Sequence, residues 1–272
     1  MHDVSSGRGP QVAPHSVPPA GRRHVGAILL AGGLLLASLA ETLPAAAQSE
    51  SAAGEAPRPL VRMDTDAGPV LLVLFPDLAP NHVAQFLHLT GTGFYEGTYF
   101  HRLVPGFVIQ GGDPNTKDRD PRNDGVGGPA LADVLGDEAA AALDRLNTLL
   151  AARGYAPLRA EANLAAEFSQ RAKHGRGSLS MARARDPDSA GSQFFICVAP
   201  TPQLDGQYTL FGQVVDGMDV VDAIVSAPTD PARGREQPAE PVHITSLRVV
   251  AREDLTPAEQ DLLAAVPDPL GD

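Results

Sequence analysis

The sequence predicts a mainly β domain, a closed antiparallel barrel capped by two helices and carrying an extra helical insertion. Three observations lead there. Apolar runs of four to eight residues recur at regular spacing between turn residues, the chain carries 27 glycines and 25 prolines, and helical periodicity is confined to a few short stretches.

In chain order, residues 61–66 and 70–75 flank Ala67-Gly68-Pro69 and read as a hairpin of two strands. Pro80 suits the first turn of a helix, where its missing N–H costs nothing; Val83, Phe86, Leu87 and Thr90 then recur at helical spacing and Gly91 closes the segment. Residues 99–113, YFHRLVPGFVIQGGD, alternate as a half-buried strand, break at Pro105-Gly106, resume, and end in a glycine pair. Residues 113–128 are turn chemistry throughout; their acidic side chains do not match a calcium loop, because Asp118 stands where the sharp turn needs glycine. Residues 131–157 form the insertion. Ala139, Leu143, Leu146 and Leu150 mark an amphipathic helix with Asp137 as N-cap and Gly154 as stop, either packed outside the barrel or serving as a lid or docking face. A further helix is expected over 217–226, with Met218, Val221 and Ile224 on one stripe, and a closing strand over 242–250. Beyond residue 251 a tail to 272 contains a capping box, Thr256 to Glu259, that opens a short helix.

The first 50 residues carry an address. Arg22, Arg23 and His24 precede an uncharged run of sixteen residues, Val25 to Ala40, and Ala45-Ala46-Ala47 offers a small-x-small cleavage site. The run is short for a membrane span and suits a secretory signal, so residues 1–47 are expected to be removed and the chain exported to the periplasm. The alternative is an uncleaved N-terminal anchor, the one route by which the chain would meet a membrane. Residues 48–58 then form a flexible linker and residues 59–251 the domain. The formal charge of −12 would repel a phosphate backbone, so nucleic acid is not an expected partner, and a monomer is expected. The single cysteine, Cys197, lies in an apolar run and reads as a buried small hydrophobe.

Residues 99–113 and the stretch 177–212, GSLSMARARDPDSAGSQFFICVAPTPQLDGQYTLFG, resemble the two signature regions of the cyclophilin family of peptidyl-prolyl isomerases. The likeness extends from about Leu60 to Val250. It implies an eight-stranded barrel with a helix over each end, an isomerase acting on proline-containing polypeptides during the folding of exported proteins, and no cofactor. Arg102 matches the family's catalytic arginine. Phe107, Val108, Phe195 and Leu204 would line the proline pocket, Gln110 and Gln193 would hold the substrate backbone and orient the guanidinium, and Ala182 would leave space for the residue before proline. His101 and His174 fall at flanking positions and are expected to be structural. Three departures follow: Arg183 where many members have asparagine, Gln203 where the cyclosporin-sensitive members have tryptophan, and Tyr208 where a histidine is common. They bear on substrate preference and inhibitor sensitivity, and Gln203 with the insertion keeps open a second reading, a weakly catalytic module that binds proline segments.

The chemistry asks little of such a site. Rotation about an Xaa-Pro bond costs about 18–20 kcal/mol because resonance gives C–N double-bond character. No bond breaks, so a catalyst need only bind the twisted amide better than the planar one. Twisting leaves a lone pair on the prolyl nitrogen, which a permanently charged, planar donor such as arginine can hydrogen-bond.

Overall fold

A computed structural model of the chain describes residues 58–118, 120–153 and 162–271. The leader with its expected cleavage site, the linker up to residue 57, the expected stop at Gly154 and the side chain of Leu150 lie outside the described residues.

The strands are β1 (Leu60–Thr65), β2 (Gly68–Leu74), β3 (Arg102–Val104), β4 (Val108–Gly111), β5 (Ser178–Met181), β6 (Phe194–Cys197), β7 (Leu210–Asp216) and β8 (Ile244–Val250). They form one sheet in the order β3-β4-β6-β5-β7-β2-β1-β8, every pair antiparallel. The tight turn between β1 and β2 is held by Thr65, whose hydroxyl donates to the Gly68 carbonyl (2.7 Å) and accepts the Ala67 N–H (3.1 Å).

The expected closed barrel is met only roughly. β3 and β8 end the strand order, and the sheet curls until the segments beside them are stitched together: Tyr99 bridges His243, the Ile244 N–H donates to the Thr98 carbonyl (2.7 Å) and the Phe100 N–H to the Val242 carbonyl (3.3 Å). The reason lies in β3, which is three residues long and whose outward Leu103 N–H is taken by the Glu236 carbonyl (2.7 Å). The connection between residues 226 and 243, not β8, therefore occupies that edge.

Alternation along the strands divides the apolar residues between two faces. Val70, Leu72 and Leu74 of β2 enter the main core with Leu103, Ile109, Phe194 and Ile196; Leu71 and Val73 join a second cluster on the other face with Leu60, Phe75, Leu210 and Val215. Helix α1 (Pro80–Gly91) lays Val83, Phe86 and Leu89 into the main core, where the Phe86 ring lies 5.2 Å from those of Tyr95 and Phe211. Leu87, counted into the stripe from sequence, is only half-buried. Proline at N1 removes one orphan donor of α1, and the Glu167 carboxylate caps the next two, accepting the N–H groups of Asn81 (3.1 Å) and His82 (3.0 Å).

The insertion is two helices rather than one. Helix α2 (Leu131–Leu135) ends at Gly136, whose φ of 83° breaks the run, and α3 (Asp137–Ala151) starts directly after it. Asp137 thus sits inside the first turn instead of capping it. Helix α2 rests on α1, with the His88 ring 3.0 Å from the Asp133 carbonyl, and α3 packs on α2. Supported from there, α3 has its less exposed face along Ala139, Ala140, Leu143 and Asn147, while Leu146 is 43% and Leu149 55% exposed.

Helix α4 (Met218–Val225) buries Val221, Ile224 and Val225 in the main core. Helix α5 (Pro257–Ala264) opens with the reciprocal cap expected: the Thr256 hydroxyl accepts the Glu259 N–H and the Glu259 carboxylate accepts the Thr256 N–H (2.8 Å). Residues 252–271 do not trail away as a tail. Leu255, Leu263 and Val266 cover the second apolar cluster, and Glu259 pairs with Arg62 of β1 at 2.7 Å.

Candidate functional site

The β3-β4 hairpin sets Arg102 opposite Gln110 and Val104 opposite Val108; β6 then places Phe195 beside Gln110 and Cys197 beside Val108. By the period of two, Arg102, Val108, Gln110 and Phe195 share the face of the sheet that Leu103, Ile109 and Ile196 leave for the core. On that face Val108, Ala182, Phe195, Cys197 and Leu204 form a third apolar cluster, with the half-buried rings of Phe107 and Tyr208 against it. Leu204 arrives on a short helical turn, Pro202–Leu204.

A cavity of about 220 Å³ opens here, lined by Arg102, Phe107, Val108, Gln110, Ala182, Arg183, Phe195, Leu204 and Tyr208. A second of about 420 Å³ adjoins it across Gln110, Ala182 and Arg183 and runs to Gln193 and the glycine-rich loop at 125–128. Asp113 shapes that loop, its carboxylate accepting the N–H groups of Asn115, Gly125 and Gly127. Gly127 lies so close that a Cβ there would be 2.2 Å from Asp113 Oδ1.

Three of the residues singled out from sequence for the substrate site, Gln203, His101 and Gln193, do not line the smaller cavity. Gln203 is exposed on the rim turn, its carbonyl accepting from the Gln207 side chain (2.9 Å). His101, although next to Arg102, is buried beneath the site, and among the described residues neither ring nitrogen meets a partner at full hydrogen-bond geometry. Gln193 lines the larger cavity, where it accepts from Gln110 Nε2 (2.9 Å) and donates to the Gly127 carbonyl (2.7 Å).

The guanidinium is oriented differently from the expectation. Neither glutamine holds it. Arg102 Nε donates to Glu236 Oε2 at 2.5 Å, and the guanidinium carbon stands 5.9 Å from the centre of the Phe107 ring. Among the described residues neither Nη group of Arg102 has a hydrogen-bond acceptor. Nothing in the sequence marked Glu236, one of 33 acidic residues, in a polar turn far from either signature region.

The charge of Arg183 is tied back from the groove. Its guanidinium donates to the carbonyls of Gln207 (3.1 and 3.0 Å) and Ala184 (3.0 Å) and stacks over the Tyr208 ring at 4.6 Å. Tyr208 in turn meets Phe195 edge-on at 5.6 Å. His174 stacks on Phe195 at 6.2 Å, its Nδ1 3.0 Å from Asp205 and its Nε2 3.1 Å from Ser180 Oγ; burial lowers its pKa against the pull of Asp205. Cys197 sits behind the pocket wall, its thiol pushed up to about 11 by burial, which leaves it protonated and inert.

Burial lowers the His101 pKa to about 4, and Asp113, which favours the charged ring, does not offset it. An unfolded histidine titrates near 6.5, so as pH falls from there towards 4 the unfolded chain takes up a proton the folded chain refuses, and stability is lost. Above pH ~6.5 this contribution is fully present. Between pH 7 and pH 5 the loss from His101 should be about 2 kcal/mol. Urea denaturation at the two pH values checks it: His101→Leu should flatten the difference by about that amount, and an unchanged difference would contradict the assignment.

Comparison with known proteins places the same segments together. Residues 60–249 match the family described as "Cyclophilin type peptidyl-prolyl cis-trans isomerase/CLD". A protein of Neurospora crassa named "Peptidyl-prolyl cis-trans isomerase-like 1" is 36% identical over 196 residues, which cover 72% of this chain and 96% of the relative. A "Probable peptidyl-prolyl cis-trans isomerase" of Brucella suis is 39% identical over 183 residues, 66% of this chain and 76% of the relative. Among solved structures, a cyclophilin-type isomerase of Cryptosporidium parvum crystallised in the presence of the dipeptide Ala-Pro superposes with a TM-score of 0.55 at 28% identity, covering 71% of this chain and 99% of its own.

Proposed function

The chain belongs to the cyclophilin-type peptidyl-prolyl cis–trans isomerases, and from that premise we propose that it turns Xaa-Pro bonds in the cavity beside Arg102. It is an isomerase of proline-containing peptides. The observation that carries the placement is the conjunction around one space of about 220 Å³: a guanidinium, the rings of Phe107, Phe195 and Tyr208, and the Gln110 carboxamide.

In this reading the prolyl ring lies against Val108, Phe195 and Leu204, and burial of its apolar surface fixes it while the preceding carbonyl swings. Arg102 is the catalytic residue. Its Nη groups hydrogen-bond the prolyl nitrogen as it pyramidalises, an interaction the planar amide cannot make to the same degree. Gln110 binds the substrate backbone, and Ala182 leaves room for the residue before proline. Gln193 acts one step back by holding Gln110. The chain is read as an exported monomer acting on folding polypeptides in the periplasm; the cationic start and short apolar run of residues 22–40 support a cleaved leader, and the charge of −12 argues against nucleic acid as a partner. No helix among the described residues is long and apolar enough to cross a membrane.

Exchange spectroscopy on an Ala-Pro peptide tests the placement. Catalysed cis–trans exchange is expected, with shifts at Phe107, Phe195 and Leu204 on titration. Binding without acceleration would instead establish the proline-segment module, and acceleration with shifts confined elsewhere would move the site.

A further inference from the structure

We propose that Glu236 is a positioning residue for catalysis, locking the plane of the Arg102 guanidinium through its Nε–H. The inference rests on the assignment of Arg102 as the donor to the twisted amide and adds a partner outside both signature regions.

Two independent contacts put Glu236 there. Its backbone carbonyl accepts the Leu103 N–H at 2.7 Å, which fastens the 226–243 connection to the free edge of β3 next to Arg102. Its carboxylate then takes Arg102 Nε at 2.5 Å. The connection is braced from behind as well, since Gln237 donates to the Pro121 carbonyl (3.0 Å) and its own carbonyl accepts the Asp230 N–H (2.9 Å). The carboxylate is thus presented by a fixed backbone rather than by a loose surface loop.

The geometry divides the guanidinium in two. Its five N–H groups lie in one plane, and a bond at Nε fixes that plane without occupying the four donors at Nη1 and Nη2. With Phe107 beside the group at 5.9 Å, rotation about the end of the side chain is restrained at one edge while the Nη edge is left for substrate. Arg102 and Glu236 are 35% and 48% exposed, and an ion pair that open contributes little to folding. Its value is therefore in orientation. An arginine whose fork is already aligned gives up less conformational freedom when it meets the pyramidal nitrogen, and that saving falls on the transition state.

The test compares full-length parent, Glu236→Ala, Glu236→Gln, Arg102→Ala and the Arg102→Ala/Glu236→Ala pair, reading kcat/KM for a short Xaa-Pro peptide, the peptide Kd and the Arg102 Nε–H resonance in labelled protein. Glu236→Ala should lower kcat/KM roughly tenfold, about 1.4 kcal/mol of transition-state stabilisation, with the Kd changed less than about twofold. Glu236→Gln keeps an oxygen acceptor and should retain at least about half of the parent rate. The Nε–H signal, protected from solvent exchange in the parent and in Glu236→Gln, should exchange rapidly in Glu236→Ala. On the Arg102→Ala background the second change should add nothing. The proposal is overturned if Glu236→Ala leaves kcat/KM at the parent value while Arg102→Ala lowers it, or if its loss persists without Arg102 or follows Kd. If Arg102→Ala itself stays active, the assignment of Arg102 fails, and that result is separate from either of the others.

Discussion

Arg102→Ala should lower kcat/KM for an Xaa-Pro peptide by between about tenfold and a hundredfold and leave the stability of the fold within about 1 kcal/mol of the parent. The two halves of that expectation have different sources. A charge-assisted hydrogen bond contributes roughly 1.5–3 kcal/mol, and each 1.4 kcal/mol is about tenfold in rate. The stabilities differ little because the guanidinium is partly exposed and its ion pair to Glu236 is at the surface. The peptide should still bind, since Val108, Phe195 and Leu204 supply the apolar surface, so the loss should fall on turnover more than on Kd. Arg102→Lys should recover only a fraction: an ammonium keeps the charge but has no Nε–H to be held while other donors face substrate. Peptide exchange rates and urea denaturation on the same samples decide the matter. A variant that unfolds early would make Arg102 a structural residue, and one that is folded and fully active would leave catalysis to the pocket walls alone.

That a single arginine is not asked to supply the whole acceleration agrees with how the site is built. The apolar cluster of Val108, Ala182, Phe195, Cys197 and Leu204 is continuous, and its walls are supported from outside by His174 and Tyr208, both stacked or edge-on to Phe195. A ring held against such a wall leaves the peptide on one side of the bond as the part free to turn. The rest of the acceleration belongs to that differential grip.

Strand alternation and the two signature stretches make this grouping of side chains legible in the sequence, because Arg102, Val108, Gln110 and Phe195 are one face of paired strands and Phe107 and Leu204 sit at turns beside them. What sequence could not supply is everything decided by partners far along the chain. Glu236 meets Arg102 across 134 positions, and no local pattern distinguishes its carboxylate from its neighbours. Gln203 was placed by its motif position, yet its turn points it to solvent. In the insertion, α3 starts where the one helix was expected, at Asp137, but α2 before Gly136 has no apolar periodicity of its own to announce it, and the covered side of α3 follows its support on α2 rather than the leucine spacing. Barrel closure is met only roughly for a similar reason. The edge bond of Leu103 goes to a loop carbonyl, and strand periodicity carries no information about who reaches an edge first.

Ending the chain after Ala251 should cost about 3–5 kcal/mol of stability, although the matched family region ends at residue 249. Val70 to Leu74 are buried without a break, which requires cover on both faces of β2. The main core covers one face. On the other, Leu71 and Val73 with Leu60, Phe75, Leu210 and Val215 are covered by Leu255, which is 5% exposed, and by Leu263 and Val266. Removing those side chains opens a contiguous apolar patch, takes the Glu259 carboxylate from Arg62 and takes the Asp268 carboxylate from Arg58 (3.1 Å). Arg62 is then left partly buried without that acceptor, which costs more than the pair itself contributes. Glu259→Ala alone, which removes the N-cap return bond and the same acceptor, should cost about 1–2 kcal/mol and serves as the graded control. The cavity proposed for substrate is built on β3, β4 and β6 and on the segments that follow β5 and β6, so the shortened chain, assayed where it is folded, should keep the parent kcat/KM. Urea midpoints, dye binding to exposed apolar surface and peptide exchange separate the two effects. An unchanged midpoint would mean that α5 only rests on the sheet, and a lower midpoint with a matching loss of kcat/KM in folded protein would mean that the two faces are coupled.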